Sequence, residues 1–286
     1  MRIAFLGLGL IGGSVARALR DTGGHLDDVV AWSPSGSGPR LARDAGTIDA
    51  AADTPEAALE GAELVVLAAP PLASIALLER LGSDLRASLA CGVTITDVAS
   101  TKASLLAAAT AAGVPYVGGH PMAGRETTGF GAADGSLFRD RPWVITEAVG
   151  GGDPAQVRRL AERCGARVVT LAAADHDRLV AAVSHLPLIT SVALVEAIAG
   201  HGAAADGWAA ARSLAAGGWR DTTRLARGDS TMGAEIAATN GAEIATRLRA
   251  FRDRIDEWLA LLEAPGGPDP DAIRERLAEA ARRLDA

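Results

Sequence analysis

The chain has 286 residues, of which 49% are hydrophobic, enough to bury the core of one large domain or of two ordinary ones. Its formal charge of −7 argues against a nucleic-acid partner, because clustered Lys and Arg bind phosphate backbones. A small-molecule partner is the better prediction. The sequence pattern shows no membrane span of about 18 apolar residues and starts directly in a predicted strand, so we expect a cytoplasmic protein without a membrane partner.

The first part of the chain alternates between short apolar runs and alanine-rich amphipathic stretches. Predicted strands cover residues 2–6, 29–32, 64–69, 93–97, 116–118, 143–146 and 167–171. Predicted helices between them cover residues 11–20, 74–81, 103–112 and 155–164. Such alternation indicates βαβ units, so residues 1–172 are predicted to form an α/β domain with a doubly wound parallel sheet of the Rossmann type.

The rest of the chain shows helical patterns alone. They cover residues 175–199, 203–216, 230–262 and 271–284. Residues 173–286 are therefore predicted to form an all-helical second domain that binds substrate. Its helices carry more apolar surface than one bundle of this size can cover, so we expect a homodimer formed through this domain.

A glycine motif lies directly after the first predicted strand. Gly7, Gly9 and Gly12 form Gly-x-Gly-x-x-Gly at a strand-to-helix turn, the context in which this pattern binds a dinucleotide. The first glycine permits the tight turn, and the second lets the backbone approach a pyrophosphate at the helix N-terminus. A turn without a ligand is the alternative. The candidate cofactor contacts are Gly7, Leu8, Gly9, Leu10, Ile11 and Gly12, with Ala69, Pro70 and Asp97 at the ends of later strands.

The end of the second predicted strand bears on the choice between NAD and NADP. NAD-binding folds usually carry an acidic residue there to bind the ribose 2′-hydroxyl, whereas this chain has Ser33. The loop that follows offers further hydroxyl groups and Arg40, and its residues 33–40 include no carboxylate to repel a 2′-phosphate. NADP is therefore slightly favoured over NAD, although a flexible loop with no phosphate to bind would have the same composition.

Three polar segments rich in glycine and proline carry a resemblance to a known family. They run from Asp97 to Lys102, from His120 to Glu126 and from Ser184 to Leu188, and the first two follow predicted strands. The chain resembles the prephenate/arogenate dehydrogenase family in four motifs: Gly-Leu-Gly-Leu-Ile-Gly-Gly-Ser at 7–14, His-Pro-Met-Ala-Gly-x-Glu at 120–126, Ser-His-Leu-Pro at 184–187 and Gly-Gly-Trp-Arg-Asp-Thr-Thr-Arg at 217–224. The resemblance spans nearly the whole chain, in order.

The resemblance implies oxidative decarboxylation of prephenate to 4-hydroxyphenylpyruvate, or of arogenate to tyrosine, with hydride transfer to NAD(P)⁺. Oxidation of a ring alcohol needs a base at the hydroxyl group, and neutral histidine has a pKa suited to that role. We assign this role to His120, whose counterpart in the family holds the ring hydroxyl. The family serine that matches Ser100 bridges the histidine, the nicotinamide and the substrate. The alternative for His120 is a histidine that only caps a strand end.

Carboxylate binding is assigned to the motif at 217–224. Guanidinium groups bind planar oxyanions well, and Arg224 matches the family's carboxylate-binding arginine. Arg220 and Asp221 precede it by about one helical turn, a spacing that places Asp221 and Arg224 on one helical face, where Asp221 can orient Arg224. The alternative is a solvated helix face with no ligand.

The remaining candidate substrate contacts are Lys102, Glu126 and His185. Lys102, the only lysine of the chain, is assigned to the edge of the site, where it supports Ser100. Leu188 departs from the resemblance, because the family has a histidine at this position. The departure leaves open an arogenate-type amino acid or an amino-substituted prephenate analogue as the substrate.

Two other interpretations share the predicted fold. A β-hydroxyacid dehydrogenase or imine reductase also has a dinucleotide domain followed by helices, but it carries a lysine on the first long helix of the second domain, where this chain has none. A catalytically silent dinucleotide-binding sensor would show the same fold. The spacing of the five histidines is not that of metal ligands, so we expect no metal site.

Overall fold

The apolar runs of the first part form strands, and these strands share one sheet. The computed structural model describes residues 1–23, 27–125, 127–200 and 207–285. The strands are β1 (Arg2–Leu6), β2 (Asp28–Trp32), β3 (Ala50–Ala51), β4 (Leu64–Leu67), β5 (Thr94–Asp97), β6 (Tyr116–Pro121), β7 (Pro142–Val149) and β8 (Arg167–Thr170). Within the described residues they form one eight-stranded sheet in the order β3-β2-β1-β4-β5-β6-β7-β8.

The strands of this sheet are parallel except where β6 meets β7. These two strands pair antiparallel, whereas the other neighbours in the described part of the sheet are parallel. The first six strands have the order of a dinucleotide-binding sheet, in which the winding changes direction between β1 and β4. Ligands of such sheets bind at this switch point, outside the carboxyl ends of the strands.

Helices cover both faces of the sheet. They are α1 (Leu10–Gly23), α2 (Ser37–Asp44), α3 (Pro55–Leu59), α4 (Pro71–Gly82), α5 (Ala103–Ala112) and α6 (Pro154–Arg163). Because successive residues of a strand face opposite sides, Ile3 and Phe5 join one core with α1 and α6, while Ala4 and Leu6 join a second core with α3, α4 and α5. The predicted doubly wound α/β sheet is confirmed.

Some elements differ from the predicted ones. The sequence analysis did not predict α2, β3 and α3, which lie in a segment rich in Ser, Gly, Pro and Ala that shows no clear helical or alternating pattern. Strand β6 is longer than the predicted 116–118, since residues 119–121 pair with β7. His120 therefore lies within a strand, and the prediction that its segment follows the end of the strand is wrong.

The described residues after β8 form mainly helices, as predicted. It contains α7 (Ala173–Val180), a π-helical turn (Ala181–His185), α8 (Leu186–Ala199), α9 (Trp208–Ser213), α10 (Gly217–Thr222), a 3-10 turn (Arg224–Arg227), α11 (Ser230–Leu262) and α12 (Pro270–Asp285). The π-helical turn divides the predicted helix over 175–199. Helix α11 has its predicted bounds and bends at Asn240, whose φ of −132° is not helical. Residues 203–206 of the predicted helix over 203–216 lie outside the described residues.

Packing divides the chain into two compact units, Met1–Gly241 and Ala242–Ala286. The first unit includes the start of α11. There the carboxylate of Glu235 accepts the backbone N–H of Leu72, in α4, at 2.7 Å. In the second unit, the guanidinium of Arg276 lies 4.6 Å from the centre of the Trp258 ring. The domain boundary at residue 172 stays a prediction.

One of the described helical stretches, Ala173–Ala199, is long and apolar enough to cross a membrane by length and composition alone. The sequence analysis expected no such stretch. The stretch Ala173–Ala199 carries charged residues in its first two turns, and its residues His176, Asp177 and His185 are buried. Their hydrogen bonds to other segments of the first unit belong to the site described next.

Candidate active site

The strand register brings the two halves of the predicted site to one edge of the sheet. Leu6 pairs with Leu67, and Leu67 pairs with Asp97, so β1, β4 and β5 end at the same level. The glycine motif follows β1, Ala69 and Pro70 follow β4, and the segment that contains Ser100 follows β5. The predicted cofactor contacts and the predicted catalytic segment therefore leave the sheet side by side.

The glycine motif has the geometry of a phosphate-binding turn. Gly7 has a φ of +94°, and a Cβ there would lie 2.6 Å from the carbonyl oxygen of Ala68. A Cβ at Gly12 would lie 2.7 Å from the Cβ of Ala68, so both positions require glycine. At Gly9, by contrast, a Cβ would meet no atom of the described chain within 4 Å. The turn formed by residues 7–12 is thus open at the N-terminus of α1, where a dinucleotide pyrophosphate fits.

The segment after β2 lies beside this turn. A Cβ at Gly38 would lie 2.2 Å from the carbonyl oxygen of Leu8, so the first turn of α2 packs closely on the glycine motif. The hydroxyl groups of Ser35 and Ser37 are 2.9 Å apart, and Arg40 donates from Nη2 to the carbonyl oxygen of Ser35 at 2.9 Å. Ser33 precedes them at the end of β2. Hydroxyl groups and one guanidinium therefore surround the start of α2.

Asp97 and Lys102 are wholly buried beneath the edge of the sheet. The Lys102 ammonium pairs with Oδ1 of Asp97, and the Tyr116 hydroxyl donates to Oδ2 at 2.5 Å. The backbone N–H groups of Ala99 and Gly119 also donate to this carboxylate, at 2.7 and 3.2 Å. Burial lowers the pKa of Lys102, and the charge of Asp97 partly offsets this effect. Asp97, a predicted cofactor contact, and Lys102, a predicted substrate contact, thus bind each other inside the protein. Their ion pair holds the segment after β5 in place.

His120 is buried near the end of β6 and belongs to a chain of hydrogen-bonding groups. Its Nδ1 lies 2.8 Å from Nε2 of His176, and Nδ1 of His176 lies 2.7 Å from Oδ1 of Asp177. Burial lowers the pKa of His120 well below its ordinary value, and electrostatic interactions with His176, Lys102 and His185 act in the same direction. His120 is therefore neutral near neutral pH and is able to accept a proton.

Asp177 fastens helix α7 to the start of α5. Its Oδ1 accepts the N–H of Lys102 at 2.8 Å, and its Oδ2 accepts the N–H of Ala103 at 2.9 Å. The carboxylate thus caps the first turn of α5, where a negative charge is stabilised by the unpaired N–H groups. One side chain connects the helical segment to the edge of the sheet.

Asn240 determines which nitrogen of His185 carries a hydrogen. Its Nδ2 donates to the carbonyl oxygen of Asp177 at 2.9 Å and lies 3.1 Å from Nδ1 of His185. Because a carbonyl only accepts, this atom is the amide nitrogen, and Nδ1 of His185 is its acceptor. Burial lowers the pKa of His185 to about 4. Neutral His185 then carries its hydrogen on Nε2, which is buried with no hydrogen-bond partner among the described residues.

The predicted carboxylate-binding residues lie outside this buried cluster. Arg220, Asp221 and Arg224 are exposed. Helix α10 ends at Thr222, and Arg224 begins the 3-10 turn, so the expectation that Asp221 and Arg224 share one helical face is wrong. At Thr223 the backbone leaves the helical region, with φ −98° and ψ 5°, and the Thr223 hydroxyl donates to the Trp219 carbonyl oxygen at 2.7 Å.

Ser100 takes no part in the hydrogen bonds described above. Ser100 is partly exposed in the segment between β5 and α5. Glu126 lies outside the described residues.

Sequence reasoning missed three side chains of the cluster, His176, Asp177 and Asn240. His176 and Asp177 are adjacent polar residues in an otherwise apolar helical pattern, and Asn240 stands in the middle of a long helix. The available signal was a polar residue at a position that the helical pattern places in the interior. The sequence does not reveal the partners of these residues, because they lie far away along the chain. The contact between His120 and His176, for example, spans 56 positions.

The fold and the site define a class: a dinucleotide-binding protein with a buried, neutral histidine at the same edge of the sheet as its glycine motif. Two family models cover nearly the whole chain. The one described as prephenate dehydrogenase, nucleotide-binding domain, matches residues 15–170. The one described as prephenate dehydrogenase, dimerization domain, matches residues 172–279. The chain belongs to the prephenate dehydrogenase family.

Individual relatives agree with this assignment. A prephenate dehydrogenase of Lactococcus lactis is 32% identical over 264 residues, which cover 90% of this chain and 70% of the relative. A cyclohexadienyl dehydrogenase of Zymomonas mobilis is 28% identical over 289 residues, or 98% of this chain and 94% of the relative. The crystal structure of Synechocystis arogenate dehydrogenase has a TM-score of 0.79 and 30% identity, and the match covers 100% of this chain and 99% of that one.

Proposed function

We propose that this protein catalyses the oxidative decarboxylation of prephenate or arogenate in tyrosine biosynthesis, with hydride transfer to NAD(P)⁺. The products would be 4-hydroxyphenylpyruvate or tyrosine. The observation that carries the proposal is His120, a buried histidine with a lowered pKa at the edge of the sheet that the glycine motif also occupies. The names of the three relatives support the class of substrate, since each is called a dehydrogenase of prephenate, arogenate or a cyclohexadienyl compound.

The chemistry assigned to His120 is a proton transfer in two directions. The imidazole accepts the proton of the ring hydroxyl while hydride leaves the same carbon. Bound NAD(P)⁺ supplies the hydride acceptor. The carbonyl so formed is conjugated with the ring double bonds, and these end next to the carbon that bears the ring carboxylate, as in a vinylogous β-keto acid. CO₂ therefore leaves, and its bonding electrons make the ring aromatic. His120 then returns the proton to the phenolate oxygen, and the reaction consumes one hydride acceptor and releases one CO₂ without net proton change.

Substrate binding is assigned to charged and polar groups around this histidine. Arg224 and Arg220 would bind substrate carboxylates, with Asp221 nearby to orient them. Ser100 follows β5 at the same edge as His120 and would contact the ring hydroxyl. Glu126 is proposed as a further substrate contact. Lys102 would support the site indirectly, because its ion pair with Asp97 holds the segment that carries Ser100.

His185 supports the proposal in a separate way. A buried N–H without an acceptor costs about 1–3 kcal/mol, so the Nε2–H of His185 needs an oxygen from a bound molecule. A carboxylate or carbonyl oxygen of the substrate, or the carboxamide of the nicotinamide, would supply it. His185 is thus proposed as a neutral donor to the ligand.

The choice among ring substrates depends on the position of Leu188. Its side chain is partly buried in α8 and cannot make the polar contact of the histidine that the family has there. Arogenate, or an amino-substituted prephenate analogue, is therefore proposed beside prephenate.

NADP is proposed as the slightly favoured cofactor. The support is Ser33 in place of an acidic residue, together with the hydroxyl groups and Arg40 around the start of α2.

The assembly is proposed to be a homodimer formed through residues 173–286, in the cytoplasm. The match of residues 172–279 to a dimerization domain supports this assembly. The two family models meet between residues 170 and 172, which supports the proposed domain boundary. Exposed apolar side chains such as Val183 and Leu214, at 73% and 83% exposure, are surfaces that a second copy would cover.

A panel of substrates tests the proposal. Purified protein is mixed with prephenate, arogenate or a β-hydroxyacid, each with NAD⁺ or NADP⁺, and the absorbance of the reduced cofactor is followed at about 340 nm. We expect turnover with at least one cyclohexadienol and none with the β-hydroxyacid. Cofactor binding without turnover of any substrate would instead indicate a dinucleotide-binding sensor.

A further inference from the structure

The contacts from Asp177 through His176 to His120 have a direction. The Asp177 carboxylate receives two backbone N–H groups, from Lys102 and Ala103, so it is an acceptor in both contacts. It lies 2.7 Å from Nδ1 of His176, and an ionised carboxylate only accepts. Nδ1 of His176 therefore carries a hydrogen and donates it to Asp177.

The other nitrogen of His176 is then an acceptor. A neutral imidazole carries one hydrogen, so Nε2 of His176 has a lone pair and no hydrogen. The first turn of α5 already stabilises the Asp177 carboxylate, so this carboxylate does not depend on a cation at His176. Nε2 of His176 thus accepts a hydrogen from Nδ1 of His120, 2.8 Å away.

We propose that His176, held by Asp177, is a positioning residue that fixes the tautomer of His120. With its hydrogen on Nδ1, His120 keeps the lone pair of Nε2 for the proton of the substrate. The opposite tautomer would present an N–H to the ring hydroxyl and leave no base there. The kinetic part of this inference rests on the proposed function, whereas the tautomer itself does not.

Nitrogen NMR of the whole protein measures the tautomer directly. Protein labelled with ¹⁵N at its histidines gives separate shifts for protonated and unprotonated ring nitrogens, and the His120→Asn and His176→Gln variants assign the two residues. We expect the Nδ1–H tautomer at both His120 and His176 near neutral pH. An Nε2–H tautomer at His120, or a doubly protonated His176, would overturn the inference.

Two substitutions at one position provide the kinetic test. In His176→Gln the amide oxygen can occupy the place of Nε2 and still accept from His120, whereas His176→Phe has a ring of similar size without an acceptor. We expect kcat of the Phe variant to fall at least about tenfold below that of the Gln variant, because a positioned base contributes about 10²-fold or more. KM and cofactor affinity should be similar in both.

The controls separate this inference from the proposed function and from misfolding. Melting temperature and cofactor binding show whether each variant is folded. Equal kcat values in folded Gln and Phe variants would overturn the role of His176. If the unchanged protein turns over no cyclohexadienol, the proposed function fails, while the NMR result still decides the tautomer.

Discussion

Burial gives His120 the protonation state that a base requires. Desolvation is the largest cause of its lowered pKa, followed by electrostatic interactions with His176, Lys102 and His185. A histidine in water would be partly protonated near its ordinary pKa and would lose its lone pair there. Since the pKa is lowered, the base stays available at lower pH than it would on the surface.

The first prediction concerns His120→Asn. We expect kcat to fall by about 10²-fold or more, because the amide cannot accept a proton, while the dissociation constant of the cofactor stays unchanged. Steady-state rates and a fluorescence titration measure the two effects. The wild-type rate should persist into mildly acidic solution and decline only as the pH falls through the lowered pKa. Unchanged turnover in the variant would remove His120 from the mechanism.

The second prediction separates the structural role of Lys102 from substrate binding. Lys102→Met leaves the buried Asp97 carboxylate without its cation, which should lower the free energy of unfolding by about 3–5 kcal/mol. Urea unfolding measures this loss. The matched control is Arg80→Met, which breaks an exposed pair with Asp84 and should cost far less, because water and salt screen exposed pairs.

If Lys102 contacts the substrate instead, its replacement should mainly raise KM. Equal stability of the two variants, combined with a raised KM for Lys102→Met alone, would contradict the buried role. We expect the folded fraction of that variant to keep the wild-type KM.

The third prediction concerns Arg224, which is exposed at the start of the 3-10 turn. Arg224→Ala should raise KM for the ring substrate about tenfold or more, because a charge-assisted contact with a carboxylate contributes roughly 1.5–3 kcal/mol. Arg227→Ala, an exposed arginine of the same turn, is the control and should leave KM near the wild-type value. A lower melting temperature without a change in KM would show that Arg224 only stabilises the fold.

At the scale of elements, strong local patterns were predictable from sequence, and features that depend on pairing were not. The runs that became β1 and β4 are apolar throughout, and α11 has the predicted bounds because its helical pattern is long. β3 has two residues and exists through its pairing with β2. The end of β6 was missed because two successive glycines, Gly118 and Gly119, suggest a turn. In the structure both positions are glycine because neighbouring atoms approach the backbone closely. A Cβ at Gly118, for example, would lie 2.5 Å from Oγ1 of Thr146.

The fourth prediction belongs to the end of β2 and the start of α2. Ser33→Asp introduces a carboxylate where a 2′-phosphate would lie, so it should lower kcat/KM for NADP⁺ and shift preference toward NAD⁺. The ratio of kcat/KM for the two cofactors measures the shift, with Ser33→Ala as the uncharged control. A wild-type protein strongly selective for NAD⁺ would contradict the proposed NADP preference.

At the scale of the whole first unit, the site is assembled from distant parts of the chain. Asp177 of α7 caps α5, and Asn240 of α11 bonds both to the Asp177 carbonyl and to His185. Motifs predicted that His120 and His185 belong to one site, since each lies in a segment of the family resemblance. They could not predict His176 or Asn240, because a partner across 55 or more positions is set by packing and not by local pattern.

The central claim is that this protein couples reduction of a dinucleotide to decarboxylation of a cyclohexadienol. The most direct measurement follows both products in one sample, with reduced cofactor read by its absorbance and CO₂ by release from a substrate labelled at the ring carboxylate. We expect equal amounts of the two products throughout the reaction, and loss of both in His120→Asn. Release of CO₂ without reduced cofactor, or no reduced cofactor with prephenate, arogenate and an amino-substituted analogue alike, would contradict it.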